Sequence, residues 1–243
     1  MLVIRVQGGF CNRLRAIVSA ALWAEDLGTG LVIYWPEEPG HMACRIDEIL
    51  VPLTIPGIVK FHTGYIRNAR QVLSHEEMES VLQVQRLMPS SEIRIESYSI
   101  FHNDFHSRGI KILRRIQIHP SIQKMTEGVK DGLVGIHIRR TDHVKCIEAS
   151  PLALFEEYLE KADRGNFYLA TDDAEVKAAF KEKFTKHFIA SPVVKLGRLS
   201  KEQQIHGIID WLLLQKCTKI VASQGSSFSE LAAWRAGIPL EVL

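Results

Sequence analysis

The sequence predicts an α/β fold of two domains, each built on a parallel sheet. Three observations carry that prediction. A strand, glycine-rich turn, helix and strand follow one another at the start of the chain. After residue 130 the pattern becomes a regular βαβαβαβα alternation, which is that of a doubly wound domain. Three strands of that second half end in polar clusters, and the strand ends of a parallel sheet lie along one edge. The clusters are His137, Arg139, Arg140 and Asp142, then Asp172 and Asp173, then Gln224, Ser226 and Ser227.

Leu2 to Val6 is a short apolar run and reads as a buried strand. Gly8-Gly9 breaks it, and a helix begins at Cys11 or Asn12. Its apolar residues Leu14, Ile17, Val18, Ala21 and Leu22 recur at helical spacing, and Gly28 and Gly30 end it. Leu31 to Trp35 is the next strand, and the helix between the two strands requires parallel pairing. The turn Gly8-Gly9-Phe10-Cys11-Asn12-Arg13 lacks the third glycine of the dinucleotide fingerprint. It sets backbone N–H groups, Asn12 and Arg13 at a helix N-terminus, a place that favours anions. A plain tight turn has the same composition.

Residues 36–130 are punctuated by Pro36, Pro39, Pro52, Pro56 and Pro89. Short strands are expected near Ile58 to Phe61 and Ile93 to Ile95. A helix is expected from Ser74, where Ser74 and Glu77 have capping-box spacing. His102, Asp104 and His106 alternate and would share a strand face, as metal ligands or as polar groups lining a cleft. Ser107 to Met125 carries five basic residues and reads as a solvated connector. The domain boundary is placed there, giving domains 1–115 and 116–243.

In the second half, Leu133 to Ile138 is a strand followed by a loop. Ser150-Pro151 is an N-cap and N1 pair, and Leu152, Phe155, Leu159 and Ala162 form the apolar face of its helix. Phe167 to Ala170 is a strand, Ala174 to Lys183 a helix, and Phe188 and Ile189 mark a further strand. Ser200 and Gln203 box a helix whose core face is Ile205, Ile208, Ile209, Leu212 and Leu213, with Asp210 off that face. Lys219 to Ala222 is the last predicted strand. Ser227 and Glu230 have capping-box spacing for the last helix, which Gly237 closes.

Composition narrows the function. Apolar residues make up 46% and charged residues 24%, with a net charge of +2. Nothing in that balance calls for nucleic acid or an acidic membrane. Cys11, Cys44, Cys146 and Cys217 are far apart, which suits a reduced cytoplasmic protein better than a disulfide or zinc framework. No signal-peptide pattern and no run of about 20 apolar residues is present. Cytoplasmic location and no transmembrane segment are therefore the expectation.

The polar strand ends suit a nucleoside diphosphate. Two adjacent arginines and a serine-capped helix N-terminus would hold the diphosphate, and carboxylates would accept from ribose or guanine. Asp172 with Glu175 also fits a helix cap, Ser227 with Glu230 likewise, and Asp210 also fits a solvated position. No Asp-X-Asp triplet occurs, so no metal is expected on the diphosphate.

Gly135-Ile136-His137-Ile138-Arg139-Arg140-Thr141-Asp142, then Tyr168-Leu169-Ala170-Thr171-Asp172-Asp173, then Asp210 ahead of Ser226, resembles the motif set of the α1,6-/α1,2-/protein O-fucosyltransferase superfamily. The α1,6 branch, with the core and rhizobial nodulation fucosyltransferases, is the most similar. The Gly8-Gly9-Phe10-Cys11-Asn12-Arg13 turn resembles that superfamily's N-terminal turn. The last motif departs from it, reading Ser223-Gln224-Gly225-Ser226-Ser227-Phe228. The resemblance implies a GT-B-like enzyme of two facing Rossmann-like domains, the first on the acceptor side and the second holding GDP-fucose without metal or other cofactor. By position it implies that Arg139 grips the β-phosphate and that Arg140, Asp142 and Asp173 support the site. His137 and Asp210 would contact the nucleoside, Asp210 at guanine, and Ser226 would meet the diphosphate. Inversion at the sugar C1 needs a base for the acceptor hydroxyl, and Glu148 or His143 is the candidate. The alternatives are a non-catalytic GDP-sugar or glycan-binding module, and a transferase of another GDP-sugar.

Overall fold

The computed structural model describes every residue except 88–91, 131, 142–143, 163–165, 190 and 198. It holds two compact units, Met1–His119 and Pro120–Leu243. The division falls inside the basic stretch in which the sequence places a boundary.

The first unit runs β1 (Leu2–Val6), α1 (Phe10–Asp26), β2 (Leu31–Tyr34), α2 (Ile46–Ile49), β3 (Ile58–His62), β4 (Arg70–Gln71), α3 (His75–Leu87), β5 (Ile93–Ser97) and α4 (Gly109–Arg115). Its sheet has the order β3-β2-β1-β5-β4, parallel throughout. β1 is central, and Leu2, Ile4 and Val6 are fully buried. That is why this strand reads as a continuous apolar run. The first turn of α1 begins at Phe10, one residue before the predicted start, because Phe10 and Cys11 are both buried and helical. α3 carries the predicted box: Glu77 N donates to Ser74 Oγ at 3.2 Å, and Ser74 N to Glu77 Oε2 at 3.1 Å. Ser107 to Met125 is not a solvated connector. It folds into α4 and then α5 (Pro120–Lys124), which bury Ile112, Leu113 and Ile122, with Ile116 and Ile118 buried between them. The basic residues dominated the composition there and masked the apolar spacing.

After α5, the second unit runs β6 (Val134–Ile138), α6 (Val144–Ala149), α7 (Leu152–Lys161), β7 (Phe167–Thr171), α8 (Ala174–Lys183), α9 (Lys201–Leu214), β8 (Lys219–Ala222), α10 (Ser227–Ala236) and β9 (Leu240–Val242). The parallel order is β7-β6-β8-β9. Ile136, Ile138, Phe155, Leu159, Phe167, Leu169, Phe180, Phe184 and Val221 form one core cluster. Gly135 lets α9 approach β6, since a Cβ there would stand 2.7 Å from Leu214 Cδ2. The box opening α9 is present, with Gln203 N on Ser200 Oγ at 3.2 Å and Ser200 N on Gln203 Oε1 at 3.0 Å.

Three local expectations are corrected here. The loop after β6 contains α6. Phe188 makes one parallel bridge to Phe167 rather than a strand. Ser150 does not cap α7, whose N-cap is Pro151. The Ser150 hydroxyl instead donates to Leu243 O and accepts from Gln224 N at 2.8 Å, tying the end of α6 to the turn after β8. Among the described residues, no helix is long and apolar enough to cross a membrane.

Candidate active site

The site grows from the C-terminal end of β6. Arg139 follows that strand, and its backbone N–H donates to Ser223 Oγ at 3.1 Å, which joins the ends of β6 and β8. Asp172, just past β7, reaches across to the same place. Its carboxylate accepts from Arg140 N at 2.8 Å and Thr141 Oγ1 at 2.7 Å, and pairs with the Arg139 guanidinium at 2.9 Å. Burial alone would raise the Asp172 pKa. The Arg139 charge and the hydrogen bonds from Thr141 and Arg140 outweigh it and hold this carboxyl below the usual range. Asp172 is therefore a brace for the arginine loop and not the helix cap.

The cap of α8 is Asp173, whose Oδ1 accepts from Glu175 N at 2.9 Å and Val176 N at 3.0 Å. Arg140 is engaged with the neighbouring helix α6. Its guanidinium donates to Ile147 O at 3.3 Å and Ser150 O at 2.5 Å, holding the last turn of α6.

The third strand end supplies a helix N-terminus. β8 runs into Ser223-Gln224-Gly225, where Gly225 takes φ +69° and turns the chain into α10. Ser226 is the N-cap and makes no side-chain cap bond, and Ser227 is the first helical residue, so the Ser227–Glu230 box is not how this helix starts. Ser226 is buried, and the first-turn N–H groups of α10 beside it form an anion-favouring end. His137 on β6 is buried and stacks on Phe228 of α10, with ring centroids 4.9 Å apart. Phe228 thus helps fix the imidazole.

Asp210 is not a solvated helix position. It is 4% exposed in α9, and the Tyr168 hydroxyl on β7 donates to its Oδ1. Burial pushes its carboxyl up to about 7, against the opposing pull of Lys177 and the Tyr168 hydrogen bond. Glu148 lies exposed on α6. Asp142 and His143 lie outside the described residues.

In the first unit Asn12 is half-buried at the start of α1. Arg13 is 0% exposed and serves the turn itself. Nε donates to Gly8 O at 2.8 Å, NH1 to Pro36 O at 2.7 Å and NH2 to Glu38 Oε2 at 3.2 Å. It forms an internal clasp of the turn, and burial pushes its pKa down to about 10. His102, Asp104 and His106 do not share a strand face, since a 3-10 turn, Asn103–Phe105, separates them. His102 is buried with Nε2 2.9 Å from Asp26 Oδ2, and its Nδ1 accepts from Asp104 N. Among the described residues, no group of three His, Cys, Asp or Glu is placed to hold a metal ion.

Sequence reasoning missed Thr141, Ser223 and Tyr168. Ser223 carried a usable signal, because it directly follows a strand in a run that opens a helix.

No protein-family model matches the chain, and no curated protein matches it in sequence. Solved structures do match. NodZ α-1,6-fucosyltransferase soaked with GDP-fucose superposes with a TM-score of 0.63 at 16% identity, over 96% of this chain and 91% of that one. NodZ from Bradyrhizobium gives 0.62 at 16%, over 95% and 92%. POFUT1 in complex with GDP-fucose gives 0.65 at 9%, over 100% and 97%. A mutant of Arabidopsis thaliana FUT1 in complex with GDP gives 0.64 at 10%, over 100% and 70%. At these identities the likeness establishes the fold, and that fold is the GT-B-like one of the fucosyltransferases to which the motifs point.

Proposed function

We propose that this protein moves fucose from GDP-fucose to a hydroxyl of a glycan or related acceptor, with inversion and without a metal. One observation carries the reading: Arg139, braced by Asp172, shares the C-terminal edge of the second sheet with Ser226 and the N-terminus of α10. A guanidinium and a helix N-terminus at one edge suit a leaving diphosphate, whose growing charge they would stabilise most in the transition state. Asp172 would keep Arg139 in place before substrate arrives. His137, stacked on Phe228, would contact the nucleoside, and Asp210 would read guanine with its orientation fixed by Tyr168. Asn12, in the first turn of α1, would be a further donor contact. Glu148 or His143 would take the acceptor proton, Asp142 would support the site, and Ser227 would be a donor contact. GDP-fucose as donor is further supported by the ligands of NodZ and POFUT1, which share the fold.

The test is thermal stabilisation by GDP, UDP and ADP, followed by turnover of GDP-fucose, all in EDTA. GDP alone should raise the melting temperature, because a ligand of the native state stabilises it by mass action. Equal shifts with all three nucleotides would overturn the guanine assignment. Turnover that needs an added divalent ion would overturn metal independence.

A further inference from the structure

Tyr168 stands between two polar partners. Its hydroxyl donates to Asp210 Oδ1 and lies 3.3 Å from Ser191 Oγ. Ser191 Oγ in turn accepts from Val193 N at 3.1 Å. A backbone N–H can only donate, so the Ser191 proton turns to the Tyr168 oxygen and the Tyr168 proton to Asp210. The relay from Val193 N through Ser191 and Tyr168 therefore runs one way and ends on an acceptor. Each donor in such a chain polarises the next.

The relay favours an ionised carboxylate at its end, and burial opposes it. Tyr168 and Asp210 are both buried. The cations around Asp210 are engaged elsewhere or act from a distance. On α8, Lys177 gives its ammonium to Val193 O at 3.0 Å, and Lys181 acts through its charge alone. On α9 itself, His206 lies one turn earlier, and its Nδ1 accepts from Lys195 N at 2.9 Å. On α10, Arg235 lies over Trp211 and donates to Gln215 Oε1. On α5, Lys124 is exposed. Among the described residues, Tyr168 is thus the one hydrogen-bond donor to this acid.

Guanine offers two donors side by side, N1–H and the amino group. A carboxylate has about four acceptor sites, so Oδ1 can keep Tyr168 while the two oxygens serve the base. A carboxylic acid would instead turn its own O–H toward a donor. The base therefore needs the ionised form, and an Asp210 that is protonated beforehand must give its proton to solvent as the base enters.

We propose that Tyr168, oriented by Ser191, is a positioning residue that sets how readily Asp210 ionises, and that the guanine of the donor binds with release of the Asp210 proton. The proposal rests on the reading of Asp210 as the guanine contact. The test is calorimetry of GDP-fucose binding from pH 6 to pH 9 in two buffers of different ionisation enthalpy, with UDP-glucose as the control. The diphosphate of GDP-fucose is esterified at both ends and does not titrate in this range. Burial places the Asp210 carboxyl at about 7. The native protein should release about one proton per GDP-fucose at pH 6 and almost none at pH 9. Its affinity should fall roughly tenfold per pH unit below that midpoint. Tyr168→Phe removes only a hydroxyl, and burial raises the pKa of the native phenol, which stays protonated throughout. In this variant the midpoint of the affinity profile should rise by about one pH unit, so that affinity at pH 7 falls about fivefold and recovers at pH 9. Ser191→Ala should move the midpoint the same way by less. A proton exchanged at His137 would follow neither substitution. Binding of GDP-fucose without proton release, or a Tyr168→Phe loss equal at pH 7 and pH 9, would overturn the proposal and leave the guanine reading standing. UDP-glucose bound as tightly as GDP-fucose, or no binding of either, would overturn the guanine reading and this proposal with it.

Discussion

Asp172 and Asp173 are neighbours with different jobs, and only the structure separates them. The spacing Asp-Asp-Ala-Glu allows either to cap α8, since a cap is decided by a single residue of phase. Asp173 is the cap, and Asp172 reaches the arginine loop. Asp172→Asn should therefore lower stability by roughly 1.5–3 kcal/mol, the worth of hydrogen bonds to charged groups. It should also slow turnover by loosening Arg139. Urea unfolding and steady-state kinetics would check both effects. Asp172 and Asp210 should also titrate with opposite signs. The depressed Asp172 carboxyl contributes stability above its unfolded pKa of about 3.9, and that stability is lost as pH falls further. The raised Asp210 carboxyl contributes below about 3.9, and its contribution is lost as pH rises through about 7. Asp210→Asn keeps an oxygen for the Tyr168 hydroxyl and should flatten the decline in melting temperature between those two values. An unchanged pH profile would show that the Asp210 acid is not protonated in the fold. Neither its burial nor the closure of Arg13 on its own turn is legible in sequence, because both depend on partners distant along the chain.

At the scale of elements, the strands that bury both faces were legible: β1, β6, β7 and β8 are short apolar runs bounded by turn residues. The two boxes opening α3 and α9 were also legible, because that interaction is local in sequence. What failed was whatever depends on tertiary partners. Ser150 looks like a cap and is a bridge to Gln224, while α4 and α5 looked like a charged connector and bury isoleucines. Ser150→Ala should leave Gln224 N without its acceptor and cost roughly 1–3 kcal/mol, readable by denaturant unfolding. Gly135→Ala tests the contact of β6 with α9. The new methyl would meet Leu214 Cδ2 at 2.7 Å, and overpacking of this kind typically costs about 1–3 kcal/mol. A wild-type melting temperature for this variant would mean that α9 has room to retreat.

Across the whole molecule, two parallel-sheet units were predictable because the alternation of strand and helix admits few other topologies. The shared sheet edge was legible where motif and strand end coincide, at His137, Arg139, Asp172 and Ser226. The central claim is that Arg139 holds the diphosphate of a GDP-sugar as it leaves. Arg139→Lys tests it most directly, because lysine keeps the charge and loses the guanidinium fork. The measurement is kcat and KM for GDP-fucose turnover, with a melting curve on the same sample. The account predicts a folded protein whose kcat falls on the order of 10²–10³-fold while KM changes little. A variant with the native melting temperature and native turnover would contradict it.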